Sequence, residues 1–92
     1  MSLVWQIELA EAAKKEFAKL DPQVARRVTQ FLRSRLQTQK NPRSLGQALK
    51  GSELGEFWKY RIGDIRIIAS IEDHRLVILV VRIGNRREVY KR

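Results

Sequence analysis

Lys59, Arg61 and Arg66 stand close together in the run FWKYRIGDIRIIASI, residues 57–71, on either side of Gly63-Asp64. A Gly-Asp pair between two alternating runs is the signal of a two-residue hairpin loop. With the loop at 63–64, Ile62 faces Ile65, Arg61 faces Arg66, Tyr60 faces Ile67 and Lys59 faces Ile68. Side chains alternate between faces along a strand, so Lys59, Arg61 and Arg66 share one face. Trp58, Tyr60, Ile62, Ile65, Ile67 and Ala69 share the other. Like charges directly opposite each other weaken a strand pair. A sequence that keeps Arg61 opposite Arg66 therefore points to an anion bound there.

The whole chain carries the same message. Nineteen Lys and Arg against ten Asp and Glu give a net charge of +9 on 92 residues. The basic residues are interspersed with structure-forming ones, so the folded surface itself is basic. Such a surface selects a polyanion: nucleic acid first, an acidic protein second, an anionic membrane third. An apolar fraction of 43% with 32% charged residues places the chain among globular domains, and its length suits one domain spanning residues 1–92. No cysteine and a single histidine, His74, leave no disulfide framework and no zinc site to build, and no cofactor is expected. No apolar run reaches membrane-spanning length. The start, MSLVWQIELAEAAKK, has no secretion-signal pattern, so a cytoplasmic location is expected.

The elements that must position the cations follow from periodicity. Residues 3–9 alternate as a first strand. From Ala10 the period changes, and Leu9, Ala13, Phe17 and Leu20 predict a helix over 10–20. Asp21-Pro22 restarts the chain as an N-cap followed by a first-turn proline. Val24, Val28, Phe31, Leu32 and Leu36 form one apolar stripe of a second helix ending near Gln39. Its opposite face carries Arg26, Arg27, Arg33 and Arg35, either a solvated face or a contact with RNA backbone. Residues 40–52 read as a connecting loop with one helical turn over 44–49 and Leu49 as its core anchor. Arg43 and Lys50 add to its basic surface. After the hairpin comes a turn at Asp73-His74, and then LVILVVRI, residues 76–83. That run is apolar on both faces, as a strand covered on both sides would be. Arg82 fits it poorly, since strict register turns it to the core; a bulge nearby would release it. Trp5 and Trp58 read as core aromatics and His74 as an ordinary turn residue.

The order strand, helix, helix, three strands predicts an α+β domain: an antiparallel helix pair on one face of a small twisted, mainly antiparallel sheet. The cation face is then the open one. Arg86 and Tyr90, just past the last strand, are placed to fold onto it.

L49-K50-G51, F57-W58-K59-Y60-R61, G63-D64-I65-R66-I67, I83-G84-N85-R86 and E88-V89-Y90, in that order, resemble the RelE family of bacterial toxins, within the RelE/ParE superfamily. The resemblance covers nearly the whole chain and implies a RelE-like ribonuclease fold. It also implies a toxin that enters the ribosomal A site and cuts messenger RNA there. A RelB-like antitoxin encoded nearby is the expected partner, with the toxin a monomer when free and part of a hetero-oligomer when neutralised. Carried over position by position, Lys59 matches the first hairpin lysine, Arg66 and Arg86 the two family arginines, and Tyr90 the C-terminal tyrosine. Arg61 stands where the family has a second lysine, Ile65 replaces a tyrosine, and Asn85 replaces a basic residue. The related ParE type, which poisons DNA gyrase, shares the fold but lacks this set, and is the alternative reading.

Cutting RNA through its own 2′-hydroxyl needs a base, positive charge for the phosphorane and a proton for the departing 5′-oxygen. With no histidine pair available, the catalyst is built from Lys, Arg and Tyr, and its main lever is electrostatic. Lys59, beside two cations that disfavour its ammonium form, and Tyr90 are the two candidates for base. Arg61 and Arg66 are planar donors suited to phosphate oxygens, and Arg86 serves the leaving-group side. Arg26, Arg27, Arg33, Arg35, Arg43 and Lys50 are the expected RNA- and ribosome-binding set.

Overall fold

The computed structural model describes residues 5–49 and 57–85. Strand β1 (Gln6–Leu9) leads into helix α1 (Glu11–Ala18) and helix α2 (Pro22–Gln30). A two-residue strand β2 (Gln47–Ala48) follows, then β3 (Phe57–Ile62), β4 (Ile65–Glu72) and β5 (Val77–Asn85). The five strands form one sheet in the order β1-β5-β4-β3-β2. All neighbours are antiparallel except β1, which runs parallel to β5. A parallel pair needs a long crossover, and the helices lie within that crossover. The α+β architecture expected from the element order is what forms.

Asp21 caps α2 as its type predicts, accepting the Gln23 N–H at 3.1 Å with Pro22 in the first turn. The expected single α-helix to Gln39 does not form. Beyond Gln30 the chain continues as a π-helical segment over Phe31–Leu36, and the Gln37 N–H reaches back to the Leu32 carbonyl at 2.9 Å. Residues four apart drift sideways on an α-helix of 3.6 residues per turn. The wider turn takes up that drift and keeps Val28, Leu32 and Leu36 at 0%, 6% and 0% exposure.

These three meet Trp5, Ala13, Tyr60, Ile65, Ile67, Ala69, Ile78, Val80 and Ile83 in one apolar core between helices and sheet. Trp5 is thus the core aromatic it was expected to be, and Trp58 packs against the cluster. Val77 is buried on the face opposite Ile78, and Leu79 on that same face is half-buried, so β5 is covered fully on the helix side and in part on the other.

The loop differs from its expected form. Its helical turn is a 3-10 turn over Pro42–Leu45, earlier than 44–49, and the chain then goes extended at Gly46 to make β2. The anchor is Pro42 with Leu45, not Leu49. A Cβ at Gly46 would lie 2.7 Å from Tyr60 Cε1 and 2.8 Å from the Lys59 carbonyl oxygen. Glycine is therefore required for this close approach. Among the described residues no helix is long and apolar enough to cross a membrane.

Candidate functional site

The hairpin register is the one read from the sequence: Ile62 pairs with Ile65, Arg61 with Arg66, Tyr60 with Ile67 and Lys59 with Ile68. Gly63 has φ +58°, and it is the residue with positive φ in the loop. Glycine at the first central position is what a type II′ hairpin turn demands. Arg61 and Arg66 therefore sit side by side on the face away from the helices.

That face is less open than the alternation implied. Arg61 is exposed and Lys59 half-buried, but Arg66 is only 7% exposed and Ile68, further along the same face, 1%. Arg66 lies on the middle strand of the sheet. Its guanidinium turns back to donate to the Gly63 carbonyl at 3.2 Å. One of the two opposed cations is thus held against the loop, and the other projects into solvent. Lys59 and Arg61 line a hollow of about 290 Å³ with Leu45, Gly46 and Gln47.

Arg26, Arg27, Arg33 and Arg35 are all exposed, but they belong to the helix layer on the other side of the sheet. Of these four, Arg27 reaches the hairpin tip, where its Nη2 lies 3.3 Å from the position a Gly63 Cβ would take. Arg35 stacks over Phe31 at 6.0 Å. Arg43 is committed elsewhere. It makes a two-pronged pair with Asp73, 3.1 and 2.6 Å, and lies 5.9 Å over the Trp58 ring. The Arg43 hydrogen bond holds the Asp73 carboxyl below its usual range, and the same bond raises Arg43 above its own. Lys50, Arg86 and Tyr90 lie outside the described residues.

Tyr60, between Lys59 and Arg61 in sequence, faces the core. It is 1% exposed, burial pushes its hydroxyl up to about 12, and the hydroxyl donates to the Pro42 carbonyl at 2.9 Å. Its role is to hold the 3-10 turn against β3. Sequence reasoning missed Gln47, which pairs with Lys59 across β2 and β3; a strand of two residues is too short to show a period. It also left open where Arg82 goes. A register shift falls between Ile68 and Ala69, leaving Val81 as the extra residue of β5. Arg82 then reaches Glu16 of α1.

A helix pair packed on a mixed five-stranded sheet is the architecture of the RelE-type toxins. Residues 7–90 match the ParE toxin family of type II toxin–antitoxin systems (parDE), and the chain belongs to that family. It is similar to toxin RelG of Mycobacterium tuberculosis, 24% identical over 88 residues that cover 96% of this chain and 98% of that one. The toxin–antitoxin complex RelBE2 of Mycobacterium tuberculosis shares the fold, with a TM-score of 0.82 and 22% identity over 94% of this chain and 95% of that one. The isolated Escherichia coli RelE toxin shares it at a TM-score of 0.69 and 20% identity, covering 88% of this chain and 83% of that one. The archaeal RelE–RelB complex of Pyrococcus horikoshii does so at 0.71 and 23%, covering 90% and 96%. The protein is a toxin of the RelE/ParE superfamily.

Proposed function

We propose that this toxin is a ribosome-dependent mRNA endonuclease that acts as one domain over residues 1–92, in the cytoplasm. The observation that carries the reading is the direct pairing of Arg61 with Arg66 beside Lys59 on one face. An opposed cation pair costs stability and is useful where a phosphate sits between the two.

The reaction is transfer to the RNA's own 2′-hydroxyl. The 2′-oxygen forms a bond to the adjacent phosphorus, and its proton passes to a base, Lys59 or Tyr90. The bond from phosphorus to the 5′-oxygen breaks, and that oxygen takes up a proton. The products are a 2′,3′-cyclic phosphate and a 5′-hydroxyl. Arg61 and Arg66 hold the charge that develops on the non-bridging oxygens, Arg66 from a position its bond to Gly63 already restricts. Arg86 acts on the leaving-group side. The arginines of α2 and the π-helical segment, with Lys50, bind ribosomal RNA backbone. A RelB-like antitoxin, the kind of partner found with the RelE-type relatives, neutralises the toxin in a hetero-oligomer.

Primer extension on a translated message, with and without induction, tests this. New ends within codons support the nuclease. The match to a family described as ParE favours a second reading, inhibition of DNA gyrase without RNA cleavage. Gyrase-linked DNA breaks with intact RNA would establish it in place of the first.

A further inference from the structure

We infer that the hollow beside Lys59 and Arg61 is a nucleobase subsite in which Gln47 reads the base next to the scissile phosphate. The inference rests on the nuclease reading and adds a specificity-determining residue to it.

Strand register sets out two rows of side chains across the face away from the helices. Gln47, Lys59 and Ile68 form one row, and Arg61 and Arg66 form the next. Residues two apart on a strand are about 7 Å apart, a span of one nucleotide. A phosphate held by the arginine row therefore places a neighbouring nucleotide over the Lys59 row, where the hollow opens. Its lining divides by chemistry: two cations, an aliphatic wall from Leu45, the bare backbone of Gly46 and the amide of Gln47.

Three features make this a built site. Gly46 cannot carry a side chain there, because Tyr60 and the Lys59 carbonyl occupy the space. The Tyr60 hydroxyl, bonded to the Pro42 carbonyl, pins the turn that carries Leu45 and Gly46. The Gln47 side chain is exposed and makes no hydrogen bond within the described residues. A carboxamide offers one donor group and one acceptor and matches the N6/N7 edge of adenine in two bonds. Single-stranded RNA presents that edge freely. The occupant is a nucleobase, with adenine the best match.

The test maps cleavage ends on translated messages for the wild-type toxin, Gln47→Ala and Gln47→Met, each first shown to be folded by its thermal transition. Met keeps the bulk of Gln and removes both hydrogen bonds. The wild type should favour one base at a position flanking the cut. Both variants should cut more slowly, with that preference reduced roughly fivefold or more, the discrimination expected of a two-bond pair. An unchanged preference in both variants overturns the inference and leaves the nuclease intact. So does a uniform fall at every site with the preference kept, which would assign the hollow to the RNA backbone. A wild-type toxin that makes no cuts removes the nuclease reading, and this inference with it.

Discussion

Glu16 of α1 holds Arg82 of β5 through two contacts, 2.9 Å to Nε and 2.8 Å to Nη2, and also accepts the Ile83 N–H at 2.7 Å. The pairing of β1 ends at Leu9 opposite Val80, and the Ala10 N–H donates to the Val80 carbonyl. Among the described residues no strand pairs with β5 on this side beyond that point, and the Glu16 carboxylate does there what a longer strand would do. Glu16→Ala should lower stability by about 1–3 kcal/mol, because it leaves a backbone donor and a guanidinium unsatisfied together. Arg82→Ala should cost less, since the Ile83 bond survives. Urea denaturation checks both, and a smaller loss for Glu16→Ala than for Arg82→Ala would contradict this account.

Arg61 and Arg66 face each other, and the two respond differently to removal. Arg61→Ala relieves repulsion at an exposed site and should raise stability by about 0.2–1 kcal/mol while abolishing toxicity in cells. Arg66→Ala should abolish toxicity too but lower the melting temperature, because Arg66 is buried and bonded to Gly63. Arg86→Ala should be non-toxic, and Arg61→Lys, which keeps the charge, should remain toxic. Growth curves beside thermal melts measure each. Full toxicity of Arg61→Ala would remove the phosphate site.

Tyr60 gives the fold an alkaline limit. Its hydroxyl is raised by burial from 10.0 to about 12, so above pH 10 the folded state holds a proton that the unfolded chain has lost. Stability rises wherever the unfolded state binds more protons; here the folded state binds more. The contribution is whole below about pH 10 and disappears as pH rises through about 12. Two units correspond to at most about 3 kcal/mol. The difference between wild type and Tyr60→Phe isolates it from other groups. Wild type should lose more stability than Tyr60→Phe between pH 10 and 12, and parallel curves would refute the assignment.

Salt dependence separates the exposed arginines of the helix layer from Arg43, which pairs with Asp73. Arg26→Gln, Arg27→Gln or Arg33→Gln should each reduce the slope of log binding to ribosomes against log salt by about 0.7 to 1. Arg43→Gln should change it less, because Asp73 already neutralises that charge. An equal change at Arg43 would show that RNA displaces Asp73.

Local order in the chain was readable because its causes are local. Alternation and a Gly-Asp turn specify which residues face each other across the 57–71 hairpin, so the pairing of Arg61 with Arg66 follows from the sequence. Asp21-Pro22 announces α2, and the apolar stripe announces its buried face. The net charge of +9, and with it the expectation of a polyanionic partner, is arithmetic on the sequence alone.

Tertiary structure alone decided what those residues touch. Arg66 reads as exposed from alternation, yet a middle strand and a carbonyl three residues back bury it. Arg43 reads as a free cation, yet Asp73 reaches it from thirty residues away. Gln47 comes to line the hollow only when a two-residue strand docks beside Lys59, and Glu16 meets Arg82 only when α1 packs against β5. Periodicity records neighbours within a few residues. Contacts between elements depend on sheet order, on where strands stop, and on how far a side chain can reach.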